Sequence, residues 1–292
     1  MKKLLVTGIS SFLGKELTLY PQNEWKITGL YNNKKVDFPN IDCQFCDITN
    51  NEKLKQIFKE TKPEAVIHFA ALSNPNYCEP HPEASFTVNV EASIQLAILC
   101  EESEIPLVFT STDLVFDGEN APYKETDDLK PLMIYGKHKV EAEQRILEIN
   151  KKAIIARLPV MFGKGGFMKN WINTLKEGGT VSAFTDEYRS MISATTAIEG
   201  LLLLLDRKVI GIWHLGGKEE VSRYDFAIEM AKIFNLPNNH ILPALRKDVT
   251  MSAARPADVS MDSSKAYQIG FDPDSIKEAL KKINISTHFK LN

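Results

Sequence analysis

Tyr135 and Lys139 form a pair of side chains that could transfer a proton. Residues four apart on a helix lie on one face, so the two side chains should be close together. A lysine ammonium beside a phenol favours the phenolate and lowers a tyrosine pKa that starts near about 10. We therefore expect Tyr135 to donate and accept a proton near neutral pH. Tyr31 and Lys35 share this spacing in a predicted turn, so the spacing alone does not identify a site.

Polar side chains end a predicted strand shortly before that pair. The apolar run at 107–111 ends in Ser111, and Thr112 and Asp113 follow. Ligands of parallel α/β sheets bind at the carboxyl ends of the strands, so these residues should lie at a site. A hydroxyl there can hydrogen-bond a reacting carbonyl oxygen. The alternative is that Thr112 or Asp113 only caps a turn.

A glycine-rich turn joins the first predicted strand to the first predicted helix. Gly8 and Gly14 bracket it, and such a turn lets the backbone approach a pyrophosphate at the helix N-terminus. Ser11 stands where a glycine would allow the closest approach. We expect its Cβ to hold the pyrophosphate slightly away and its hydroxyl to donate to a phosphate oxygen. Taken alone, the motif also fits a plain βα turn.

The end of the second predicted strand bears on the choice of cofactor. It reads Tyr-Asn-Asn-Lys-Lys at 31–35, with no carboxylate before Asp37. An NAD-selective site usually places an acidic residue there, on the ribose 2'-hydroxyl. Lys34 and Lys35 could instead accept a 2'-phosphate. NADP(H) is therefore favoured over NAD(H), although NAD(H) is an alternative cofactor. The alternative for the two lysines is that they only form a solvated basic turn.

Apolar runs alternate with helical patterns along the chain. Strands are predicted at 3–7, 26–30, 65–69, 107–111, 153–157 and 211–215, and helices near 12–20, 51–60, 82–103, 134–150, 198–205, 223–234 and 274–282. This alternation and the continuous apolar strands indicate βαβ units around a parallel sheet. We predict an α/β fold, a doubly wound parallel sheet of the Rossmann type with a smaller C-terminal substrate lobe. The Rossmann domain comprises residues 1–160 plus roughly 190–220, and the lobe roughly 161–189 and 221–292.

Composition excludes several classes of function. Of the 292 residues, 43% are hydrophobic and 25% charged, as in a globular protein, and the net charge of −3 favours neither nucleic acid nor an anionic membrane as partner. The longest apolar run, 201–205, is too short to span a bilayer, and the first residues are too polar for a secretory signal. We therefore expect a cytoplasmic protein without nucleic-acid or membrane partners.

The four cysteines do not predict a metal site. Cys43 and Cys46 form a Cys-x-x-Cys pair, but neither a second pair nor a His-x3-His completes a zinc site around them. We expect these two, Cys78 and Cys100 to be reduced thiols in a strand and helices.

Four landmarks, in order, resemble the extended short-chain dehydrogenase/reductase family. They are TGxxSFLG at 7–14, His-Phe-Ala-Ala at 68–71, the hydroxyl-bearing strand end at 111–112 and YxxxK at 135–139. Within that family, STDLVFDG at 111–118 and RPADVSMD at 255–262 are similar to the STDYVFDG and RPxxxxLD signatures of dTDP-4-dehydrorhamnose reductases. The resemblance covers essentially the whole chain.

The resemblance implies an NAD(P)H-dependent reduction of a 4-keto-6-deoxy sugar attached to a nucleotide. Tyr135 would protonate the carbonyl oxygen as hydride arrives, Lys139 would hold the cofactor ribose and tune Tyr135, and Thr112 would orient the keto group. A nucleotide-sugar is then the small-molecule partner. Whether the protein forms a homodimer is left open.

The resemblance also implies which residues bind the ligands. Asp47 and Ile48 would contact adenine, whereas His68 is expected in the core. The cofactor-binding residues are Gly8, Ser10, Ser11, Phe12, Leu13, Gly14, Tyr31, Asn32, Asp47, Ile48, Phe69, Ala70, Ala71, Asn89, Tyr135 and Lys139. Asp113, Arg189 and Arg255 are the substrate-binding candidates, because arginine suits phosphate geometry. Either arginine could equally be a surface residue or part of an interdomain ion pair.

Two departures from the family pattern leave the identity of the sugar undetermined and allow other functions. Leu114 replaces the tyrosine of STDYVFDG, and Leu-Pro-Val at 158–160 replaces a threonine-serine-tryptophan-like stretch. A 4,6-dehydratase is disfavoured, because it needs a glutamate after Asp113. An NDP-sugar epimerase and a non-catalytic nucleotide-binding subunit, resembling the regulatory subunit of methionine adenosyltransferase, remain as alternatives.

Overall fold

A computed structural model describes residues 1–21 and 24–286. In chain order the strands are β1 (Lys2–Thr7), β2 (Trp25–Tyr31), β3 (Asp42–Phe45), β4 (Ala65–His68), β5 (Leu107–Thr112), β6 (Ile154–Leu158), β7 (Met161–Phe162), β8 (Val181–Phe184), β9 (Tyr188–Arg189), β10 (Ile192–Ser193), β11 (Gly211–His214), β12 (Val221–Ser222) and β13 (Ile241–Ala244). The helices are α1 (Phe12–Leu19), α2 (Asn51–Thr61), α3 (Pro75–Cys78), α4 (Pro82–Phe86), α5 (Ala92–Glu102), α6 (Ile134–Ile149), α7 (Gly166–Lys176), α8 (Ala194–Asp206), α9 (Arg223–Ile233), α10 (Ser264–Tyr267) and α11 (Ile276–Ser286).

Seven parallel strands form the central sheet, in the order β3-β2-β1-β4-β5-β6-β11. Side chains alternate between its two faces, so Leu4 and Val6 of β1 pack against α1 and α8 while Leu5 packs on the side of α2, α5 and α6. Both faces are covered, which confirms the predicted doubly wound Rossmann fold. The strand order reverses between β1 and β4, and ligands of such sheets bind at that reversal.

The segments after β6 build a separate apolar cluster. Its members include Phe162 of β7, Met168 of α7, Val181 of β8, Phe226 of α9 and Leu280 of α11. The predicted division into a Rossmann domain and a C-terminal lobe stays a proposal, which this cluster supports. Sequence reasoning missed α7 and the short strand pairs, because the glycines at 163–166 hide the start of the helix and two-residue strands have no periodicity to detect.

The predicted helix at 82–103 is one run with a change of winding. A π-helical turn at Thr87–Glu91 separates α4 from α5. π-helical turns inside α-helices frequently lie at functional sites. Here the turn contains Asn89, one of the predicted site residues.

The structure also bears on metal binding and on membrane insertion. Cys43 lies in β3, Cys46 directly follows it, and Cys78 and Cys100 lie in α3 and α5, all four as free thiols. Within residues 1–21 and 24–286, no group of three or more His, Cys, Asp or Glu side chains is placed to hold a metal ion. None of the helices described for the chain combines the length and the hydropathy needed to cross a bilayer.

Candidate active site

The glycine-rich turn lies at the reversal of the strand order. Gly8 has φ +69°, and a Cβ added there would lie 2.7 Å from the backbone N of Ala70, in the loop after β4. A Cβ at Gly14 would lie 2.5 Å from the carbonyl oxygen of Ile9. Both positions therefore require glycine, because the turn packs directly against the neighbouring loop and against the start of α1.

Ser11 has a role in the fold that explains the missing glycine. It is the N-cap of α1, and its Oγ accepts a hydrogen bond of 3.1 Å from Gly14 N. The hydroxyl proton stays available to a further acceptor such as a phosphate oxygen. The first turn carries no acidic side chain, so the positive end of the helix dipole favours an anion there. The predicted donation to phosphate stays a prediction.

Capping predicts how two substitutions at Ser11 will differ. We expect Ser11→Ala to lower the free energy of unfolding by about 1 kcal/mol, whereas Ser11→Gly lowers it by only a few tenths. Ser11→Gly should also retain NADPH binding, since the backbone of the turn is unchanged. Urea unfolding and NADPH titration of both variants measure these effects. A complete loss of NADPH affinity in Ser11→Gly would show that the hydroxyl itself binds the cofactor.

The other residues of the turn differ in accessibility. Ser10 and Phe12 are half-buried and Leu13 is buried. The ring of Phe12 lies against the loop after β7, where a Cβ added to Gly165 would be 3.1 Å from it. Phe12 therefore joins the turn to the segment that leads into α7.

The adenosine-binding candidates follow β2 and β3. Tyr31 is half-buried at the end of β2 and Asn32 is exposed. Asp47 Oδ1 accepts hydrogen bonds from Thr49 N and Oγ1, at 3.0 and 2.8 Å, and Ile48 is buried. Asp47 thus shapes the turn that leads into α2, next to the position predicted for adenine.

Asn89 fixes the loop after β4. Its Oδ1 accepts from Leu72 N at 2.9 Å and its Nδ2 donates to Leu72 O at 3.0 Å. Upstream in the same loop, Phe69 is buried, and Ala70 and Ala71 are half-buried. Asn89 thus holds the loop that carries the other candidates, and its predicted contact with the cofactor stays a prediction.

His68 is a buried core residue, as the sequence suggested. Its Nδ1 lies 2.6 Å from Thr7 Oγ1 and its Nε2 2.9 Å from Ser93 Oγ. Burial, with a smaller contribution from Lys139, lowers the pKa of His68 to about 3. A neutral histidine bonded at both nitrogens joins β1, β4 and α5 and has no free group for catalysis.

Thr112 ends β5, and Tyr135 and Lys139 lie on α6, which packs against β5 and the turn that follows it. Thr112 Oγ1 accepts from Leu114 N at 3.2 Å and donates to Asp113 Oδ1 at 3.1 Å, so it caps a turn and lies at the site. Tyr135, near the start of α6, is buried in an apolar cluster that includes Leu114. Lys139 follows one turn later, and its Nζ lies 3.8 Å from the ring centroid of Phe109. The helix and strand predicted for these residues therefore exist and converge.

The pKa shift predicted for Tyr135 has the wrong direction. Burial, and then the charge of Asp113, raise the pKa of the Tyr135 phenol above its ordinary value. Burial also lowers the pKa of Lys139 to about 7, against an opposing effect of Glu143. Desolvation of the phenolate and the neighbouring carboxylate of Asp113 set this direction, because both disfavour a negative charge on Tyr135. Tyr135 is held as a neutral phenol, which is the form that can donate a proton.

Arg189 forms a buried ion pair across the candidate site. Its Nε lies 3.4 Å from Asp113 Oδ2, and its Nη2 lies 3.5 Å from Glu187 Oε1. Burial raises the pKa of Asp113 to about 6, with Arg189 opposing the shift. Arg189 is completely buried and is therefore not a surface residue. The predicted contact of Arg189 with a substrate phosphate stays a prediction.

Arg255 differs from Arg189. Its side chain is half-buried, and its Nε is buried without a hydrogen-bond partner among the described residues. Its carbonyl oxygen accepts from Arg246 Nη1 at 2.5 Å. The guanidinium of Arg255 thus retains an unused donor.

A buried ionic network behind the site was not predicted. Arg157 Nη2 of β6 lies 2.7 Å from Glu143 Oε2 of α6, and each side chain is 1% exposed. Ser111 Oγ donates to the same carboxylate, and Arg157 Nη1 donates to His214 Nε2 at 3.2 Å. Glu143 stands one helical turn after Lys139, so the network fixes the helix that carries the catalytic candidates. The helical spacing of Tyr135, Lys139 and Glu143 places the carboxylate on one face of α6 with the candidates, but no local pattern indicates its partner Arg157.

Comparison with known proteins identifies relatives over nearly the whole chain. The family model described as RmlD substrate binding domain matches residues 1–287. The probable low-salt glycan biosynthesis reductase Agl14 of Haloferax volcanii is 32% identical over 288 residues, 94% of this chain and 95% of that protein. Methionine adenosyltransferase 2 subunit beta of Danio rerio is 29% identical over 287 residues, 94% of this chain and 87% of that protein.

A solved structure agrees with this comparison. The dTDP-4-dehydrorhamnose reductase of Bacillus anthracis, solved in complex with NADP, superposes with a TM-score of 0.87 at 26% identity, covering 98% of this chain and 100% of that one. The match confirms the resemblance to dTDP-4-dehydrorhamnose reductases within the extended short-chain dehydrogenase/reductase family. The chain belongs to the RmlD substrate binding domain family.

Proposed function

We propose that the protein is an NAD(P)H-dependent reductase of a 4-keto-6-deoxy sugar attached to a nucleotide. The observation that carries the proposal is the placement of Tyr135, which is buried one helical turn before Lys139 on α6 and packs with Leu114 in the turn that Thr112 caps at the end of β5. The match to a dTDP-4-dehydrorhamnose reductase and the reductase Agl14 among the relatives support the same reaction. The cytoplasmic location and the homodimer stay predictions.

The residues present fit a dinucleotide cofactor. At Gly8 the turn presents backbone without a side chain, and α1 begins directly after it with no acidic residue in its first turn. The turn, Ser11, the loop at 69–71 and Lys139 would hold the cofactor. A bound NAD(P)H supplies the hydride that reduces the carbonyl carbon.

The side chains of this protein donate the proton and orient the sugar. The Thr112 hydroxyl, which donates to Asp113 Oδ1 in this structure, would turn its proton to the carbonyl oxygen of a bound sugar and orient the keto group. Tyr135 donates its phenolic proton to that oxygen, which becomes the new hydroxyl. Lys139 stabilises the phenolate left on Tyr135, because an adjacent phenolate favours the charged ammonium and offsets its desolvation. Burial of all three side chains strengthens these interactions.

We propose NADP(H) as the preferred cofactor, and a double variant tests the preference. Lys34 and Lys35 are exposed beyond the end of β2, where the first carboxylate is Asp37. We expect Lys34→Ala/Lys35→Ala to raise the KM for NADPH about tenfold, because two cations near a 2'-phosphate are lost, and to leave the KM for NADH unchanged. Lys59→Ala, an exposed lysine on α2, is the control for loss of surface charge. An unchanged KM for NADPH would remove the two lysines from the cofactor site.

A non-catalytic nucleotide-binding role is the second candidate. It is favoured by the several relatives named methionine adenosyltransferase 2 subunit beta, which are 27–30% identical over 92–94% of the chain. The joint presence of Thr112, Tyr135 and Lys139 argues for catalysis, since a binding role requires none of their proton chemistry. An epimerase would use the same tyrosine and lysine with a permanently bound cofactor.

A panel assay distinguishes the three candidates. Purified protein is mixed with NADPH and with dTDP- and GDP-linked 4-keto-6-deoxy sugars, and oxidation of NADPH is followed by absorbance. A reductase oxidises NADPH in proportion to the sugar. Epimerisation without consumption of added NADPH would replace the proposal, and absence of any turnover would favour the binding role.

A further inference from the structure

Tyr135 is the second residue of α6, a helix that does not cap its own start. Its N-cap residue is Met133, whose side chain forms no capping hydrogen bond with any described residue, and its first turn carries no acidic side chain. The first N–H groups of an α-helix have no partner within the helix and need one from outside. The position of Tyr135 therefore depends on what another segment supplies to the start of α6.

Glu79 supplies such a partner from the end of α3. Its Oε2 accepts a hydrogen bond of 3.0 Å from the backbone N of Ile134, although the two residues are 55 positions apart in the sequence. Hydrogen bonds to a carboxylate are among the stronger ones, and a negative charge is favoured at the positive end of the helix dipole. Because Ile134 directly precedes Tyr135, this contact fixes the backbone next to the candidate proton donor.

The segment that carries Glu79 is itself anchored. Cys78, its neighbour, is buried in the apolar cluster that contains Tyr135, and its Sγ donates to Leu72 O at 3.2 Å. The backbone of Leu72 is held in turn by the side-chain amide of Asn89. Glu79 therefore connects the loop after β4 with the start of α6.

The residue after Tyr135 is held by close packing. A Cβ added to Gly136 would collide with the carbonyl oxygen of Leu114, so glycine lets α6 approach the turn after β5. Leu114 N donates to Thr112 Oγ1 in that turn. The hydrogen bond at Ile134 and the packing at Gly136 thus constrain the backbone on both sides of Tyr135.

We propose that Glu79 is a positioning residue for the reaction, whose carboxylate sets where the Tyr135 phenol lies relative to the Thr112 hydroxyl. This role rests on the proposed function for the step in which Tyr135 donates its proton. Glu79 acts through the backbone of α6 and needs no contact with the substrate. Its effect on the rate should be large, since a displacement of about 1 Å can lower a rate about 100-fold.

Kinetics and hydrogen exchange of the full chain test this role. We expect Glu79→Ala to lower kcat for a 4-keto sugar about 10- to 100-fold and to leave the KM for NADPH unchanged, because Tyr135 is displaced while the glycine-rich turn is not. Glu79→Gln should recover most of kcat, since its amide oxygen can accept the same hydrogen bond. Amide exchange followed by mass spectrometry should become faster at 134–138 in Glu79→Ala.

Glu83 supplies the matched control. It is an exposed acid in the first turn of α4, so Glu83→Ala also removes a carboxylate from a helix N-terminus. We expect this variant to change neither kcat nor the exchange at 134–138.

The outcomes separate the role of Glu79 from the proposed function. Unchanged exchange at 134–138 in Glu79→Ala would overturn the role, because the carboxylate would then not hold that segment. A kcat of Glu79→Ala equal to that of Glu83→Ala would overturn it as well, even with a lower Tm, since the contact would then serve the fold alone. If wild type reduced no 4-keto sugar while Glu79→Ala exchanged faster at 134–138, the placement of Tyr135 by Glu79 would be upheld and the reductase rejected. Reduction by wild type and by Glu79→Ala at equal rates would do the reverse.

Discussion

Tyr135→Phe is expected to lower kcat by about 10²- to 10⁴-fold, the usual contribution of a positioned general acid. Phenylalanine fills the same buried volume, so the fold and the affinity for NADPH should be retained. The loss should appear in kcat more than in KM, because the proton is transferred only in the transition state. Rates of NADPH oxidation with a 4-keto sugar substrate, together with thermal unfolding, measure both parts of the expectation.

A second tyrosine supplies the matched control for Tyr135→Phe. Tyr267 lies in α10 and its hydroxyl donates to Gly216 O at 3.1 Å. Tyr267→Phe also removes one phenolic hydroxyl, but we expect only a small loss of stability and an unchanged kcat. If Tyr135→Phe turned over substrate like wild type, Tyr135 would not be the acid, and the neutral phenol would be a consequence of packing alone.

Glu143→Gln is expected to destabilise the protein by about 3–5 kcal/mol, because it leaves the charge of Arg157 buried without its partner. The pair is 1% exposed on both sides and spans 2.7 Å between Arg157 Nη2 and Glu143 Oε2. In a domain of this size such a loss corresponds to a fall in Tm of about 5–15 °C. Differential scanning calorimetry measures the fall, and kcat should drop as well, since Glu143 anchors the helix that carries Tyr135 and Lys139.

Two further variants show whether the effect comes from the unpaired charge. Glu143→Met combined with Arg157→Met removes both charges and should recover much of the lost stability. Glu52→Gln breaks an exposed pair with Lys55 on α2 and should leave the stability almost unchanged, because solvent screens that pair. A Glu143→Gln variant as stable as Glu52→Gln would show that the network does not hold α6 in place.

The parts of the structure that the sequence predicted are those with local periodicity. The six predicted strands and the helix with Tyr135 and Lys139 exist, and the hydroxyl at Thr112 ends the strand expected to carry it. Apolar runs and a spacing of four residues encode these features directly. The glycine-rich turn was also recognisable, although the capping role of Ser11 emerged only from its hydrogen bond to Gly14.

The parts that the sequence did not predict depend on contacts between distant segments. Arg157 of β6 meets Glu143 of α6, and Arg223 of α9 meets Phe167 of α7, pairings that no local pattern encodes. The predicted direction of the Tyr135 pKa shift is wrong for a related reason. Spacing places a lysine nearby, but the extent of burial decides which charge form is stable.

Transfer of deuterium from NADPH labelled at C4 of the nicotinamide tests the central claim most directly. The protein is incubated with labelled NADPH and the nucleotide-linked 4-keto-6-deoxy sugar, and the product is analysed by mass spectrometry and NMR. Reduction at the site of Thr112, Tyr135 and Lys139 predicts one NADPH oxidised per sugar and one deuterium at C4 of the product. A product without deuterium, or no product from any 4-keto sugar of the panel, would contradict the assignment as a reductase.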